Sequence, residues 1–174
     1  MINKRIETIT SKLLEDYAVE RIPIPVREIA KNRGLEVKPY DLGETVSGVL
    51  VIKDGEGFIG YNFNDSKVRQ RFTIAHELGH YELHYNPTER STLFVDKQFK
   101  VAFRNEDSST GEMQNEKEAN AFAAALLMPK KFIIKEIENR HLDLSDDKNL
   151  QILAKSFNVS ISAMTFRLIN LEIL

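Results

Sequence analysis

Cysteine is absent from the 174-residue chain, which excludes disulfides, a thiol nucleophile and cysteine-held metal. Charge of one sign is not in excess either. The 24 basic residues face 26 acidic ones, and with a net charge of −2 and no long charged run, nothing points to nucleic acid or to a membrane surface. No stretch approaches the ~20 apolar residues that span a bilayer. The opening residues, Met1-Ile2-Asn3-Lys4-Arg5-Ile6-Glu7, lack the apolar centre of a signal peptide. The expectation is a soluble, cytoplasmic protein. Internal repeats, low-complexity tracts and a clear linker are also missing. With 42% hydrophobic residues the chain can fill one compact core, so a single domain over 1–174 is expected.

What is present is concentrated in Arg71-Phe72-Thr73-Ile74-Ala75-His76-Glu77-Leu78-Gly79-His80-Tyr81-Glu82-Leu83-His84. His76, Glu77 and His80 form an H-E-x-x-H pattern. On a helix, histidines four residues apart share a face and lie about 6 Å apart along the axis, close enough to converge on one ion. Glu77, offset by one residue, sits beside that ion rather than on it, where a carboxylate can take a proton from bound water. Zinc lowers the pKa of such a water toward neutrality. Phe72, Ala75, Leu78 and Leu83 supply an apolar stripe, with Asp65 as a candidate N-cap and the helix beginning near Ser66. Gly79 weakens a helix by roughly 1 kcal/mol, so a close neighbour is expected there. The bland alternative is a solvated helix with two chance histidines, and a third ligand decides between them.

That ligand is sought in Glu112–Pro129. Ser109-x-x-Glu112 has the form of a capping box, and Pro129 closes the segment. From Ala119 onward the helix is small and apolar almost all round, as in a helix buried against another. Glu116 and Asn120, four apart, share a face, which suits a zinc carboxylate and a group that orients a ligand histidine. Acidic residues in a first turn also serve simply to complement the helix dipole. Glu116 is preferred, with Glu118 as the fallback. His84 lies ~12 Å along the helix from His76, too far to share an ion with it. It reads as a hydrogen-bonded core or surface histidine, with a transition-state donor as the lesser alternative. No residue is identified as the oxyanion donor.

Elsewhere the pattern predicts an amphipathic helix over 3–19, a short helix from Val26 to Arg33 closed by Gly34, and three strands, Leu35–Tyr40, Ser47–Lys53 and Gly57–Asn62. Asp54-Gly55-Glu56-Gly57 is the turn between the last two. Gly57–Asn62 is the candidate edge strand for an extended substrate. Residues 86–111 are polar and weakly patterned, with a short extended segment in Phe94–Phe103, and a loop of this length reads as a lid, a substrate-binding element or simply a mobile connection. Lys130–Arg140 is a further helix. Residues 150–170 have a helix-turn-helix cadence turning at Asn158, but Arg167 is the one basic residue of the second helix, which disfavours direct DNA contact.

The paired segments Arg71–His84 and Glu116–Pro129, together with Pro23–Ala30, Ser47-Gly48 and Ile59–Asn62, resemble the ImmA/IrrE family of bacterial and phage metallopeptidases. The resemblance runs from about Pro23 to the C-terminus. It implies an α+β, zincin-like fold with a small three-stranded sheet, the H-E-x-x-H helix and a helix-turn-helix-like pair. It implies zinc held by His76, His80 and Glu116, with Glu77 as the base. Asn120 stands where related zincins often carry Asp. Members of the family are associated with cleaving helix-turn-helix repressors, so the expected function is a zinc endopeptidase acting on a partner repressor. The alternatives are an anti-repressor that keeps zinc only structurally and, behind it, a DNA-binding regulator using Arg167. Oligomeric state is left open.

Overall fold

The computed structural model describes residues 3–88, 91–97 and 110–174. In chain order the elements are α1 (Lys4–Asp16), α2 (Val26–Asn32), β1 (Leu35–Tyr40), β2 (Val46–Lys53), β3 (Glu56–Asn62), α3 (Lys67–His84), β4 (Ser91–Lys97), α4 (Thr110–Leu127), α5 (Lys130–Arg140), α6 (Asp147–Phe157) and α7 (Ile161–Asn170). They fall into two compact units, residues 26–123 and residues 1–25 with 124–174.

The first unit is built on a sheet of strand order β1-β3-β2-β4, one strand more than the sequence predicts. β2 and β3 form a hairpin in which Lys53 faces Glu56 across Asp54-Gly55, both with positive φ (50° and 84°), the two-residue turn whose twist matches that of the strands. β1 runs parallel to β3, and β4 runs antiparallel to β2. The expectation that Gly57–Asn62 is an edge strand is therefore wrong. β3 is paired on both sides, and among the described residues the edges are β1 and β4. The sequence misleads here because β4 comes after the helix it accompanies and inverts the usual alternation. Its Leu93 and Val95 are exposed, while Thr92, Phe94 and Asp96 point inward. The capping pattern opened by Ser109 and the rest of Phe94–Phe103 beyond Lys97 lie outside the described residues.

Helix α3 crosses this sheet. Its N-cap is Ser66, whose hydroxyl accepts from the Arg69 amide, one residue later than the Asp65 predicted. Gln70 donates to the carbonyls of Phe63 and Asp65, tying the first turn of the helix to the end of β3. Asn62 fixes the same corner by donating to the carbonyls of Gly43 and Val46. From Thr73 to His80 every residue is buried. A helix so enclosed is apolar or functional around its whole circumference, which accounts for the weak amphipathic signal of this segment.

In the second unit, α1 buries Ile6, Thr10, Leu13 and Leu14, while α6 and α7 bury Leu150, Leu153, Ala154, Phe157, Met164 and Leu168. Asn158 turns the chain between α6 and α7 in the left-handed region (φ 53°), as its position predicts. Arg167, the residue on which a DNA-binding reading depends, is buried. It donates to the Met128 carbonyl at 2.9 Å and to both carboxylate oxygens of Glu7 at 2.5 and 3.0 Å. A guanidinium committed to that pair has nothing left to neutralise a phosphate, so α7 offers no basic contact surface. No helix among the described residues is long and apolar enough to cross a membrane.

Candidate metal centre

Two helices and two strands of the first unit meet around His76. Four residues apart on α3, His76 and His80 bring their Nε2 atoms to 3.0 Å. From α4, Glu116 places one oxygen 3.2 Å from His76 Nε2 and the other 3.1 Å from His80 Nε2. This approach depends on Gly79. A Cβ there would lie 3.1 Å from the Phe122 ring and 3.2 Å from both the Cα and the carbonyl oxygen of Ala119. The absence of a side chain lets α4 lie close enough for Glu116 to reach across, which supplies the close neighbour expected at this position.

The donor set fits a metal ion. His76 Nδ1 lies 3.1 Å from Asn120 Oδ1, an acceptor, so Nδ1 carries the proton and Nε2 presents its lone pair. Two imidazole lone pairs and a carboxylate then converge with edges of 3.0–3.2 Å. Donors at ~2.0–2.1 Å on a tetrahedral ion stand about 3.3 Å apart, close to these values. In the metal-free chain burial alone would raise the Glu116 carboxyl, but hydrogen bonds and charge from the two imidazoles, when these carry a proton on Nε2, outweigh it and hold the carboxyl at about 2. Burial lowers His80, which keeps that ring in the neutral form a metal requires.

Glu77 lies on the other side of His76 with no exposed surface. Neither of its oxygens has a hydrogen-bond partner among the described residues. Burial, reinforced by the nearby charges of Asp96 and Glu116, raises its carboxyl well above the ordinary value. The sheet presses directly on it: a Cβ at Gly48 of β2 would fall 2.3 Å from Thr73 Cγ2 and 2.7 Å from Glu77 Oε1.

The places of Phe94, Asp96 and Arg69 beside the site were not anticipated from the sequence. Gly48 pairs across the ladder with Asp96, and Leu50 with Phe94, and the side chains of Phe94 and Asp96 reach the residues of α3. Phe94 stacks on the His80 ring at 4.5 Å between centroids. Asp96, with His76 and Glu77, forms a second cluster of ligand-type atoms within 4.8 Å of one another. Arg69 holds Asp96 at 3.2 Å and also donates to the buried Ser47 hydroxyl at the irregularity between Val46 and Gly48. Glu118, the fallback ligand, turns instead to His84 at 3.1 Å.

The model of the peptidase M78 family, described as the IrrE N-terminal-like domain, matches residues 30–168. The chain belongs to this family. It is 27% identical over 124 residues to the "Uncharacterized immunity region protein 2" of Bacillus phage phi105, an alignment covering 68% of this chain and 67% of that one. Among solved structures, a Mycobacterium tuberculosis transcriptional regulator superposes with a TM-score of 0.64 over 96% of the chain at 17% identity, a likeness of fold. The chain spans about half (47%) of that regulator's length.

Proposed function

We propose that this M78-family chain is a zinc-dependent endopeptidase that cleaves a partner protein, a helix-turn-helix transcriptional repressor, in the cytoplasm. The observation that carries this reading is the triangle of His76, His80 and Glu116 beside a buried Glu77 that has no hydrogen-bond partner among the described residues. His76 and His80 would hold the ion through Nε2, with Glu116 as the third ligand and Asn120 fixing the His76 ring. Zinc bound there supplies Lewis acidity and lowers the pKa of water. Glu77 takes a proton from the attacking water and hands it to the leaving amine. Its raised pKa suits both halves of that transfer, since a carboxyl poised nearer neutrality accepts and returns a proton with less cost. Asp96, itself raised chiefly by burial although His76 and Arg69 oppose the rise, keeps a second carboxylate against Glu77.

The substrate class rests on the family resemblance, on a relative from a phage immunity region and on the regulator with which the fold is shared. The test is Glu77→Gln beside the wild type, with metal content by elemental analysis and cleavage of the candidate repressor by mass spectrometry. The variant is expected to hold about one zinc per chain and to leave the repressor intact. Full cleavage by the variant would sink the mechanism. Relief of repression by an uncleaving variant would favour an anti-repressor that works by binding.

A further inference from the structure

His84 carries both of its ring nitrogens into side-chain contacts that the proposed peptidase chemistry does not use. Its Nδ1 lies 3.3 Å from Nδ1 of His80, and its Nε2 lies 3.1 Å from Oε2 of Glu118. The other oxygen of Glu118 accepts from Gln114 Nε2 at 2.9 Å, so the carboxylate is held from both ends. A histidine at the last residue of a helix has an ordinary explanation, the favourable interaction of a cation with the helix C-terminus. That explanation does not apply here, because both nitrogens face side chains, one of them on the proposed ligand and the other on α4. The side chains of His84 and Glu118 are also largely covered, 9% and 22% exposed.

The proton positions follow from the chemistry of the centre. When His80 offers Nε2 as a lone pair, its proton sits on Nδ1 and is donated to Nδ1 of His84. His84 then carries its own proton on Nε2 and donates it to Glu118. Each bond requires the next, so the three side chains can adopt only one pattern while His80 is a ligand. His76 is oriented directly by one residue, Asn120; His80 is oriented through an intervening imidazole.

We propose that His84 and Glu118 form a positioning relay that fixes the tautomer and ring orientation of His80 and thereby sets the affinity of the centre for its ion. This inference rests on the metallopeptidase reading above. Losing such outer partners typically costs 10–100-fold in metal affinity. The zinc dissociation constant by chelator competition, together with the visible spectrum of the cobalt-substituted protein, would be measured for wild type, His84→Leu, His84→Asn, Glu118→Gln and His76→Ala. His84→Asn keeps an acceptor near the place of Nδ1 and severs the link to Glu118. The expected order of weakening is about 10–100-fold for His84→Leu, less for His84→Asn and several-fold for Glu118→Gln, each with shifted cobalt bands. Wild-type affinity and unchanged bands in His84→Asn and Glu118→Gln would overturn the relay, even if His84→Leu failed to fold. Zinc binding by wild type and its loss in His76→Ala would show in that case that the ligand set itself stands. A wild type that takes up no zinc would overturn both inferences.

Discussion

The two walls of the centre treat the same helix in opposite ways. Toward α4, the polar atoms of α3 are matched: His76 with Asn120 and both imidazoles with Glu116, while His80 also meets His84 at the end of α3 itself. Toward β2 and β4, Glu77 is enclosed without a hydrogen-bond partner among the described residues, pressed by the bare backbone of Gly48 and accompanied by the carboxylate of Asp96. A buried polar group without a partner is costly to the fold. The helical wall resembles a structural device and the strand wall a reactive one. On the proposed reading, holding an ion and activating water would place opposite demands on side chains one residue apart.

The comparison can be broken in four ways. Largest is the loss of cleavage in Glu77→Gln, about 100-fold to 10,000-fold or more for a general base, set against complete loss of metal in His76→Ala. Turnover and elemental analysis on the same preparations separate the two walls. Next is Gly48→Ala, whose added carbon must displace Thr73 and Glu77. It is expected to cost about 1–3 kcal/mol by chemical denaturation and to impair cleavage more than zinc content.

A third effect belongs to the metal-free protein. Glu77 has a folded-state pKa above its unfolded value, so its contribution to stability is full below the unfolded value near 4.5 and is lost as pH rises through the folded one. Glu77→Gln should therefore melt higher than wild type at pH 8, by roughly 2–4 °C for each kcal/mol relieved, with the gap closing toward pH 4. A gap that widens on acidification would contradict the burial argument. Smallest is Gly79→Ala, where a gain of about 1 kcal/mol in helix propensity is offset by crowding against Ala119 and Phe122. Its melting point should barely move while zinc affinity falls a few-fold by chelator competition.

The helical wall was the legible one. The spacing of His76, Glu77 and His80 and the shared face of Glu116 and Asn120 are local periodicities, and a helix repeats them faithfully in space. The turns at Asp54-Gly55 and Asn158 were legible for the same reason, since their backbone conformations restrict residue type. The strand wall was not, because strand neighbours are set by pairing between distant segments rather than by spacing. Asp96 meets Glu77 only through the register that sets it opposite Gly48. The inverted polarity of β4, with Leu93 outward and Asp96 inward, hid the strand further, and without it β3 passed for an edge. The burial of Arg167 was not legible either, since nothing near it in sequence announces Glu7.

That pairing also has a consequence in time. Glu7 and Arg167 are 160 residues apart, and they clasp α1 against the carbonyl of Met128 within a unit assembled from both ends of the numbered sequence. The unit of residues 26–123 is continuous. In the order of synthesis, α1 is made first and waits for a guanidinium that lies 160 residues further along the chain.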